Sequence, residues 1–279
     1  MTKIFYKIAD IQAYLLQFSY KQVGFVPTMG ALHAGHESLI LASKKQNDLT
    51  ICSIYVNPTQ FNNPEDLKKY PRTLPEDIEK LEKIACDIIF IPSNEEMYPK
   101  NPSLTFNFGN LESVMEGKFR QGHFNGVATV VSKLFHIIKP NRTYFGQKDL
   151  QQTQIISLLI KDLSFGIELV CCPTLREKDG LAMSSRNLRL NPQHRNIAPR
   201  IYQAMLLAQE LVFSQKDINF AKKQAIDFLS QEINFVLDYF EIVDCQTLGE
   251  INEQTEEIAI CVAAFLGGVR LIDNLLIKR

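Results

Sequence analysis

The stretch "VGFVPTMGALHAGHESLILASKKQ", Val23–Gln46, decides how this chain folds. Its first part, "VGFVPT", reads as a buried strand, and its last part, "HESLILASKKQ", reads as a helix. The turn between them holds His33 and His36, two of the chain's 5 histidines, with Gly35 between them and Gly30 just before. Residues three apart at a helix start share a face. A helix N-terminus offers unpaired N–H groups and the positive end of the dipole, a setting suited to phosphate. Gly30 and Gly35 let the backbone come close to a ligand. Each imidazole can donate a hydrogen bond to a phosphate oxygen, and a cationic form would also stabilise developing negative charge.

Working outward, the same alternation continues. "LTICSIYVNP" is a strand, "PEDIEKLEKIA" a helix with Pro75 and acids in its first turn, and "CDIIFIP" a strand. A looser region with Pro99, Pro102, Gly109 and Gly117 follows. Then come a helix "VATVVSKLFHIIK", a strand "TYFG", a helix "DLQQTQIISLLIKDL" and a strand "GIELVCCP". Continuous apolar strands alternating with helices imply an α/β unit, a parallel sheet with helices on both faces. Such sheets bind ligands beyond the carboxyl ends of their strands. After about residue 175 the pattern changes. Two long helical stretches, "QHRNIAPRIYQAMLLAQELVFSQ" and "INFAKKQAIDFLSQEINF", precede "YFEIVDCQTL", "EEIAICVAAFL" and "VRLIDNLLI". The last two, joined by Gly267-Gly268, form a hairpin pattern. Residues 176–279 therefore read as a smaller α+β domain after a first domain over 1–175.

A length of 279 residues suits one large domain or two modest ones. A net charge of -1 argues against a dominant nucleic-acid face. Met1-Thr2-Lys3 leads into "IFYKIADIQAYLLQF", which carries charges and helical spacing and does not match a signal peptide. No apolar run is long enough to span a bilayer, so the expectation is a cytoplasmic protein with no membrane partner. The cysteines Cys52, Cys86, Cys171, Cys172, Cys245 and Cys261 form no CxxC pair, and most sit in apolar runs. They read as buried free thiols in a reducing compartment.

Neither GxxxxGK[ST] nor GxGxxG is present. "HAGH" after a first strand resembles the signature of the HIGH-type nucleotidyltransferases. "YFGQKDLQQ" follows a strand and opens a helix. In it Gly146 permits close approach, Lys148 can reach phosphates, and Asp149 can cap the helix or meet a ribose hydroxyl or magnesium. "REKDGLAMSSRN" places Ser184, Ser185 and Arg186 in a loop after Gly180, where hydroxyls and a guanidinium suit triphosphate oxygens. It resembles the second superfamily signature, a basic loop that closes over pyrophosphate, and its place at the domain boundary suits a lid.

The whole set, "VPTMGALHAGH", "SIYVNPTQF", "EDLKKYPRTL", "EGKFRQGHFNGVATVVSKLF", "YFGQKDLQQ", "DGLAMSSRN" and "VAAFLGGVRLIDN", resembles the pantoate–β-alanine ligase family over nearly the whole chain. The resemblance implies a Rossmann-like first domain that binds ATP and pantoate, with a C-terminal lid. It implies ATP-driven condensation of (R)-pantoate with β-alanine through pantoyl adenylate, giving pantothenate, AMP and pyrophosphate. It also implies Mg2+ with the ATP, no tightly bound organic cofactor, and a homodimer formed through the N-terminal domain. By position, Met29, Gly30, Ala31, Leu32, His33, Ala34, Gly35 and His36 would form an ATP stretch, with His33, His36 and Lys148 catalytic and His36 at the position usually given to the proton donor. Gly146, Gln147, Lys148 and Asp149 would bind ATP, Leu175 would contact adenine through its backbone, and Met183, Ser184, Ser185 and Arg186 would close on the triphosphate. Gln60, Gln152 and Asn57 would form the pantoate and β-alanine pocket, and Arg120 would reach the phosphates or the dimer neighbour. Uncharged glutamines can orient hydroxyls and a carboxylate without adding charge.

Thr59 stands where the family often has methionine, and Gln147 where it often has glutamate. His123, in a glycine-flanked loop, reads as a structural hydrogen-bonding group, His136 as a packed helix residue and His194 as a surface one. A nucleotidyltransferase with a phosphate acceptor would share "HAGH" and "MSSR" but would need more arginines and no glutamine pair. A silent nucleotide-binding scaffold would bind ATP without turnover. A tRNA synthetase is disfavoured by length and by the lack of a basic anticodon-binding region.

Overall fold

The computed structural model describes residues 2–215 and 217–278. Met1, Lys216 and Arg279, which the expected domain ranges take in, lie outside the described residues. Six strands form one sheet: β1 (Lys3–Phe5), β2 (Val23–Thr28), β3 (Leu49–Ile54), β4 (Ile88–Phe90), β5 (Arg142–Gly146) and β6 (Glu168–Cys172). Their order is β1-β4-β3-β2-β5-β6, and every pairing is parallel. Parallel strands lie buried on both faces, which explains their continuous apolar runs. Successive residues still sort by side. Phe25 and Ile51 pack with Val127, Val131 and Phe135 of helix His123–Ile138. Val26 and Cys52 pack with Leu39 and Ile40 of helix Ala34–Gln46 and with Leu81 of helix Leu74–Lys83.

The chain steps outward from β2 through β3 to β4, then returns to add β5 on β2's other side. This reversal opens a crevice beyond the carboxyl ends of β2 and β5, where ligands of open α/β sheets bind. Gly24 holds helix Ala34–Gln46 close, because a Cβ there would lie 2.1 Å from Ser43 Oγ and 2.4 Å from Asn47 Nδ2.

A second sheet is antiparallel: β7 (Phe235–Asp244), β8 (Glu257–Leu266) and β9 (Val269–Lys278) in sequential order. Gly267 and Gly268 make the β8–β9 turn, both at positive φ. Helices Arg200–Gln215 and Ile218–Ser230 cover one face, where Ala204, Ala208, Ala221 and Ala225 let them pack closely on Phe240, Ile260 and Val262. The other face carries Ala259 and Cys261 onto Met115 and Leu150, joining the second sheet to the first body.

Several local expectations change. Residues 3–5 form an edge strand because Lys3, Ile4 and Phe5 pair with Ile88, Ile89 and Phe90, a partner far along the chain. The long helix expected over 193–215 is two, Pro192–Ile197 and Arg200–Gln215, divided at Pro199, which has no N–H to continue the ladder. The next helix stops at Ser230, and Phe235 opens β7. The helix expected from Val127 begins at His123, adding a turn that brings Gly126 against Thr59. Cys171 is exposed, unlike the other five cysteines. His136 is exposed on its helix with its ring 5.1 Å from that of Phe165. His194 is half-buried, with its ring over Gly267 of the hairpin turn.

Candidate active site

The crevice between β2 and β5 is a cavity that collects residues from several separate segments. Met29, His33, Gly35 and His36 line it after β2. Asn57 and Gln60 come from the loop after β3, and Gly146, Lys148, Asp149 and Gln152 from the end of β5 and the helix behind it. Leu175 and Met183, Ser184, Ser185 and Arg186 close the remaining side. Gly30, Ala31, Leu32, Ala34 and Gln147 do not line it. Ala31 and Leu32 are buried and serve the turn's own scaffold. Gln147 turns away, its Nε2 donating to Asn274 Oδ1 at 3.3 Å.

The histidine turn is built by its own capping. Gly35 N–H donates to His33 Nδ1 at 3.2 Å, and His33 N–H donates to His36 Nδ1 at 3.4 Å. Both Nδ1 atoms therefore act as acceptors, so each neutral ring carries its proton on Nε2. The rings lie 4.1 Å apart. Gly35 is required here, because a Cβ would sit 2.9 Å from the His33 ring. Burial pushes the His33 imidazolium down to about 4, helped by Lys148 and Lys80. Burial also pushes His36 well below its ordinary value, reinforced by His33, Lys148 and Lys80. Of the two forms the sequence left open, hydrogen-bond donor and cation, burial favours the neutral donor. The pair presents two neutral N–H donors, and the positive charge comes from Lys148 and Arg186.

Asp77 holds this turn, and nothing in the sequence spacing pointed to it. Its carboxylate accepts from Ala31 N at 2.9 Å and Leu32 N at 2.7 Å. Gly30 and Ala31 both have positive φ, so the turn is strained and needs such anchoring. Lys80, one helical turn on, donates to the Leu32 carbonyl. Asp77→Ala is expected to leave two buried N–H groups unpaired, at about 1–3 kcal/mol each. Denaturant unfolding should report a loss of roughly 2–4 kcal/mol. A loss below about 0.5 kcal/mol, the range of a neutral surface change, would rule out this anchoring role.

The loop after β3 is fixed just as tightly. Asn57 is buried with its amide fully used: Nδ2 donates to Gln60 Oε1 at 3.0 Å and to Gly126 O at 3.1 Å. Its Oδ1 accepts from Tyr98 Oη and from Thr59 Oγ1, both at 3.0 Å. Asn57 therefore shapes the pocket by orienting Gln60, whose Nε2 is turned to the donor side and meets Met29 Sδ at 3.2 Å. Thr59 strengthens this array with its hydroxyl. Helix His123–Ile138 can press on the loop only because residue 126 is glycine, since a Cβ would lie 2.2 Å from Thr59 O. His123 Nδ1 bonds Gln60 O at 2.8 Å. Arg120 donates to His123 Nε2 at 3.1 Å, which assigns the His123 proton to Nδ1. Burial and the neighbouring Arg120 push His123 down to about 3. Arg120 also meets Glu116 Oε2 at 3.3 Å, so its guanidinium is held within the protein at the cavity edge.

The two glutamines of "DLQQ" separate. Gln152 faces the cavity. Gln151 is buried, accepting from Glu116 N at 2.9 Å and donating to the carbonyls of Leu111 and Val114. The loop 183–186 is anchored: Arg186 and Arg189 grip Asp66 at 3.0 and 2.8 Å, and Ser184 caps the turn Ser185–Arg189. Thr174, a wall residue that sequence reasoning missed, has a buried hydroxyl without a protein partner. Among the described residues no cluster of three His, Cys, Asp or Glu side chains is placed to hold a metal ion. No described helix is long and apolar enough to cross a membrane.

Comparison with known proteins agrees over the whole length. A family model described as pantoate-beta-alanine ligase matches residues 3–276. A pantothenate synthetase from Cytophaga hutchinsonii is 48% identical over 258 residues, covering 91% of each chain. One from Bacteroides fragilis is 46% identical over 280 residues, covering 99% of each. Among solved structures, pantothenate synthetase from Thermus thermophilus superposes with a TM-score of 0.93 at 39% identity, covering 98% of this chain and 99% of that one. Pantoate-beta-alanine ligase from Francisella tularensis, complexed with beta-gamma ATP and beta-alanine, gives a TM-score of 0.84 at 37% identity, covering 99% of this chain and 98% of that one.

Proposed function

The chain belongs to the pantoate–β-alanine ligase family, and from that premise we propose how its residues divide the work. The enzyme is an ATP-dependent ligase that condenses pantoate with β-alanine. A carboxylate is a poor electrophile, so the pantoate oxygen first bonds to the α-phosphorus of ATP, and the bond from that phosphorus to the bridging oxygen breaks. Pyrophosphate leaves with the electron pair. The neutral β-alanine amine then bonds to the acyl carbon of pantoyl adenylate, the C–O bond to AMP breaks with its electron pair leaving on the AMP phosphate, and the nitrogen's extra proton passes to solvent.

One observation supports this reading above the others. A single cavity sets the His33–His36 pair, Lys148 and Arg186 beside two uncharged glutamines, Gln60 and Gln152. The first group suits a triphosphate, and the second suits an acid bearing hydroxyls. In this reading the Nε2–H donors of His33 and His36 and the Lys148 ammonium stabilise charge at the phosphates during the first step. Ser184, Ser185 and Arg186 hold the leaving pyrophosphate. Gln60 Nε2, oriented by Asn57 and His123, and Gln152 hold pantoate in line with the α-phosphorus, so positioning supplies much of the rate. The exposed wall at Leu175 and the Thr174 hydroxyl take the nucleoside end.

Mg2+ enters with ATP as part of the substrate. The half-exposed Asp149 carboxylate, beside Lys148 at 3.8 Å, is the acidic group at the mouth that can meet it or the ribose. Residues 1–175 and 176–279 act as a binding body and a closing lid, the enzyme works as a homodimer through its first domain, and it is cytoplasmic.

Gln60→Ala is expected to raise the pantoate KM about 10-fold or more and to leave the ATP KM within a few-fold, because a lost polar contact to a substrate hydroxyl is selective for that substrate. An unchanged pantoate KM with a raised ATP KM would reverse the two halves of the pocket. The reaction itself is tested by pyrophosphate release with Mg2+, ATP and (R)-pantoate, with and without β-alanine. Sustained release that needs both acids, with AMP in step, supports the ligase. Release to which neither acid adds anything would point to a different acceptor.

A further inference from the structure

Two adjacent residues of β9, Asp273 and Asn274, reach one of the segments assigned above to the triphosphate directly and the stem of the other through Arg176. Both are buried. Asn274 Nδ2 donates to the backbone carbonyls of Gln147 at 2.9 Å and Lys148 at 2.8 Å, and its Oδ1 accepts from Gln147 Nε2. The Lys148 backbone is therefore held from across the sheet interface by a side chain over a hundred residues away in sequence. Asp273 takes the guanidinium of Arg176 in two bonds, at 2.5 and 3.1 Å. Arg176 also donates to Asn274 O and Gly180 O at 3.1 Å, and its backbone bridges to Ala182. Ala182 directly precedes the Met183–Arg186 loop. One strand of the second sheet thus carries, in neighbouring positions, a clamp on the Lys148 turn and a clamp on the stem of the serine–arginine loop.

We infer that Asn274 is a positioning residue for Lys148, and that the Asp273–Asn274 pair sets the distance between the two anion-binding segments when the second sheet is docked. This rests on the assignment of Lys148 to the phosphates. The physical reason is geometric. Gln147–Asp149 is a single short turn, which cannot fix a lysine backbone by itself. Two charge-free donors to consecutive carbonyls fix it without adding charge near the phosphates. A displacement of about 1 Å at such a group can reduce a rate about 100-fold. Gln147 completes the clamp as a donor to Asn274 Oδ1. A glutamate at 147 could not make that bond, so in this chain the amide matches the amide.

The test compares Asn274→Ala, Asn274→Ser, Lys148→Met and the double variant Asn274→Ala/Lys148→Met. Two half-reactions are read: pantoate-dependent ATP–pyrophosphate exchange, and pantothenate formation from supplied pantoyl adenylate and β-alanine. Asn274→Ala should lower exchange on the order of 10- to 100-fold, and Asn274→Ser, which keeps one donor, should lose less. The second half-reaction should stay within a few-fold for the Asn274 variants. In the Lys148→Met background the Asn274 substitution should add no more than about 2-fold, because its effect already passes through the missing ammonium. Full multiplicative losses in the double variant would overturn the inference, as would equal losses in both half-reactions. So would loss of a cooperative thermal melt in Asn274→Ala and Asn274→Ser alike, which would make Asn274 a folding residue only. Wild-type exchange by Lys148→Met would instead overturn the assignment of Lys148, whereas a dead Lys148→Met beside a wild-type Asn274→Ala would overturn the positioning role alone.

Discussion

His36→Ala should fold as the wild type does and lose adenylation by about two to three orders of magnitude, the range for removing one fixed donor from a charge-stabilising site. The structural loss is small. His36 Nδ1 receives only the long 3.4 Å bond from His33 N, and losing a helix cap of this kind costs about 1 kcal/mol. Pyrophosphate exchange and a thermal melt on the same preparation separate the two effects. Wild-type exchange would remove His36 from the chemistry. A second readout concerns protonation. The His36 imidazolium is pushed well below its ordinary value of 6.5 by burial and by His33, Lys148 and Lys80. His33 falls to about 4 by burial, Lys148 and Lys80. Between pH 6 and 8 neither ring of the free enzyme should change charge. The profile of kcat/KM for ATP should accordingly lack an acid limb near 6.5. A limb there that disappears in His36→Ala would show a cationic histidine at work and overturn the neutral-donor assignment.

Arg270→Met should be the most damaging single change outside the cavity. Glu116 is buried, and Arg270 meets its two oxygens at 2.7 and 2.8 Å while also reaching Asp238 at 2.8 Å. Tyr239 Oη donates to the same carboxylate at 2.9 Å. Glu116 lies on helix Met115–Phe119, whereas Asp238, Tyr239 and Arg270 lie on β7 and β9, so this group fastens the second sheet to the first body. Removing Arg270 leaves the buried Glu116 carboxylate with only Arg120 and the Tyr239 hydroxyl, and loss of the main partner of a buried charge costs about 3–5 kcal/mol. The melting temperature should fall by roughly 10 °C. The double variant Glu116→Gln/Arg270→Met should recover part of that loss, because residue 116 then no longer carries a buried charge. A double variant as unstable as the sum of the singles would show that the two residues do not act as a pair.

The same group sets an acid response with a definite sign. Burial alone would raise the Glu116 carboxyl. The Arg270 hydrogen bonds and charge, with Arg120 and Tyr239, outweigh it and hold the carboxyl down to about 2, against an ordinary value of 4.5. A carboxyl depressed by folding contributes stability above its unfolded value and loses it as pH falls toward the folded one. The difference in stability between wild type and Glu116→Gln should therefore be full at pH 7 and shrink as pH falls from about 4.5 toward 2. A difference that stays constant across that window would rule out the ion pair as its source.

Much of this was legible in the linear sequence, for reasons visible in particular residues. Local periodicity marked β2, β3 and the helices around them, because buried parallel strands and amphipathic helices write their burial into neighbouring positions. Gly267-Gly268 announced the β8–β9 turn, which needs positive φ at both. The motifs carried His33, His36, Gln60, Lys148, Gln152 and Arg186 to one cavity, since each sits at a strand end or a helix start and the crossover order brings those ends together. What failed was long-range. The residues 3–5 became a strand only because β4 offers an edge. The anchoring of Ala31 and Leu32 N–H by Asp77, 46 and 45 residues away, also left no local mark.

By itself, then, the sequence determined most element types, the parallel sheet with its separate antiparallel companion, and the family. These follow from short-range patterns and from motifs that keep their spacing along the chain. Only the tertiary structure decided protonation, orientation and coupling. The histidines are neutral because folding buries them and sets Lys80 and Lys148 around them. Gln60 is aimed by Asn57 and His123, and Lys148 is gripped by Asn274, 126 residues away. A desolvation or a hydrogen bond between distant segments exists only once the chain has closed around it, so no local pattern records it.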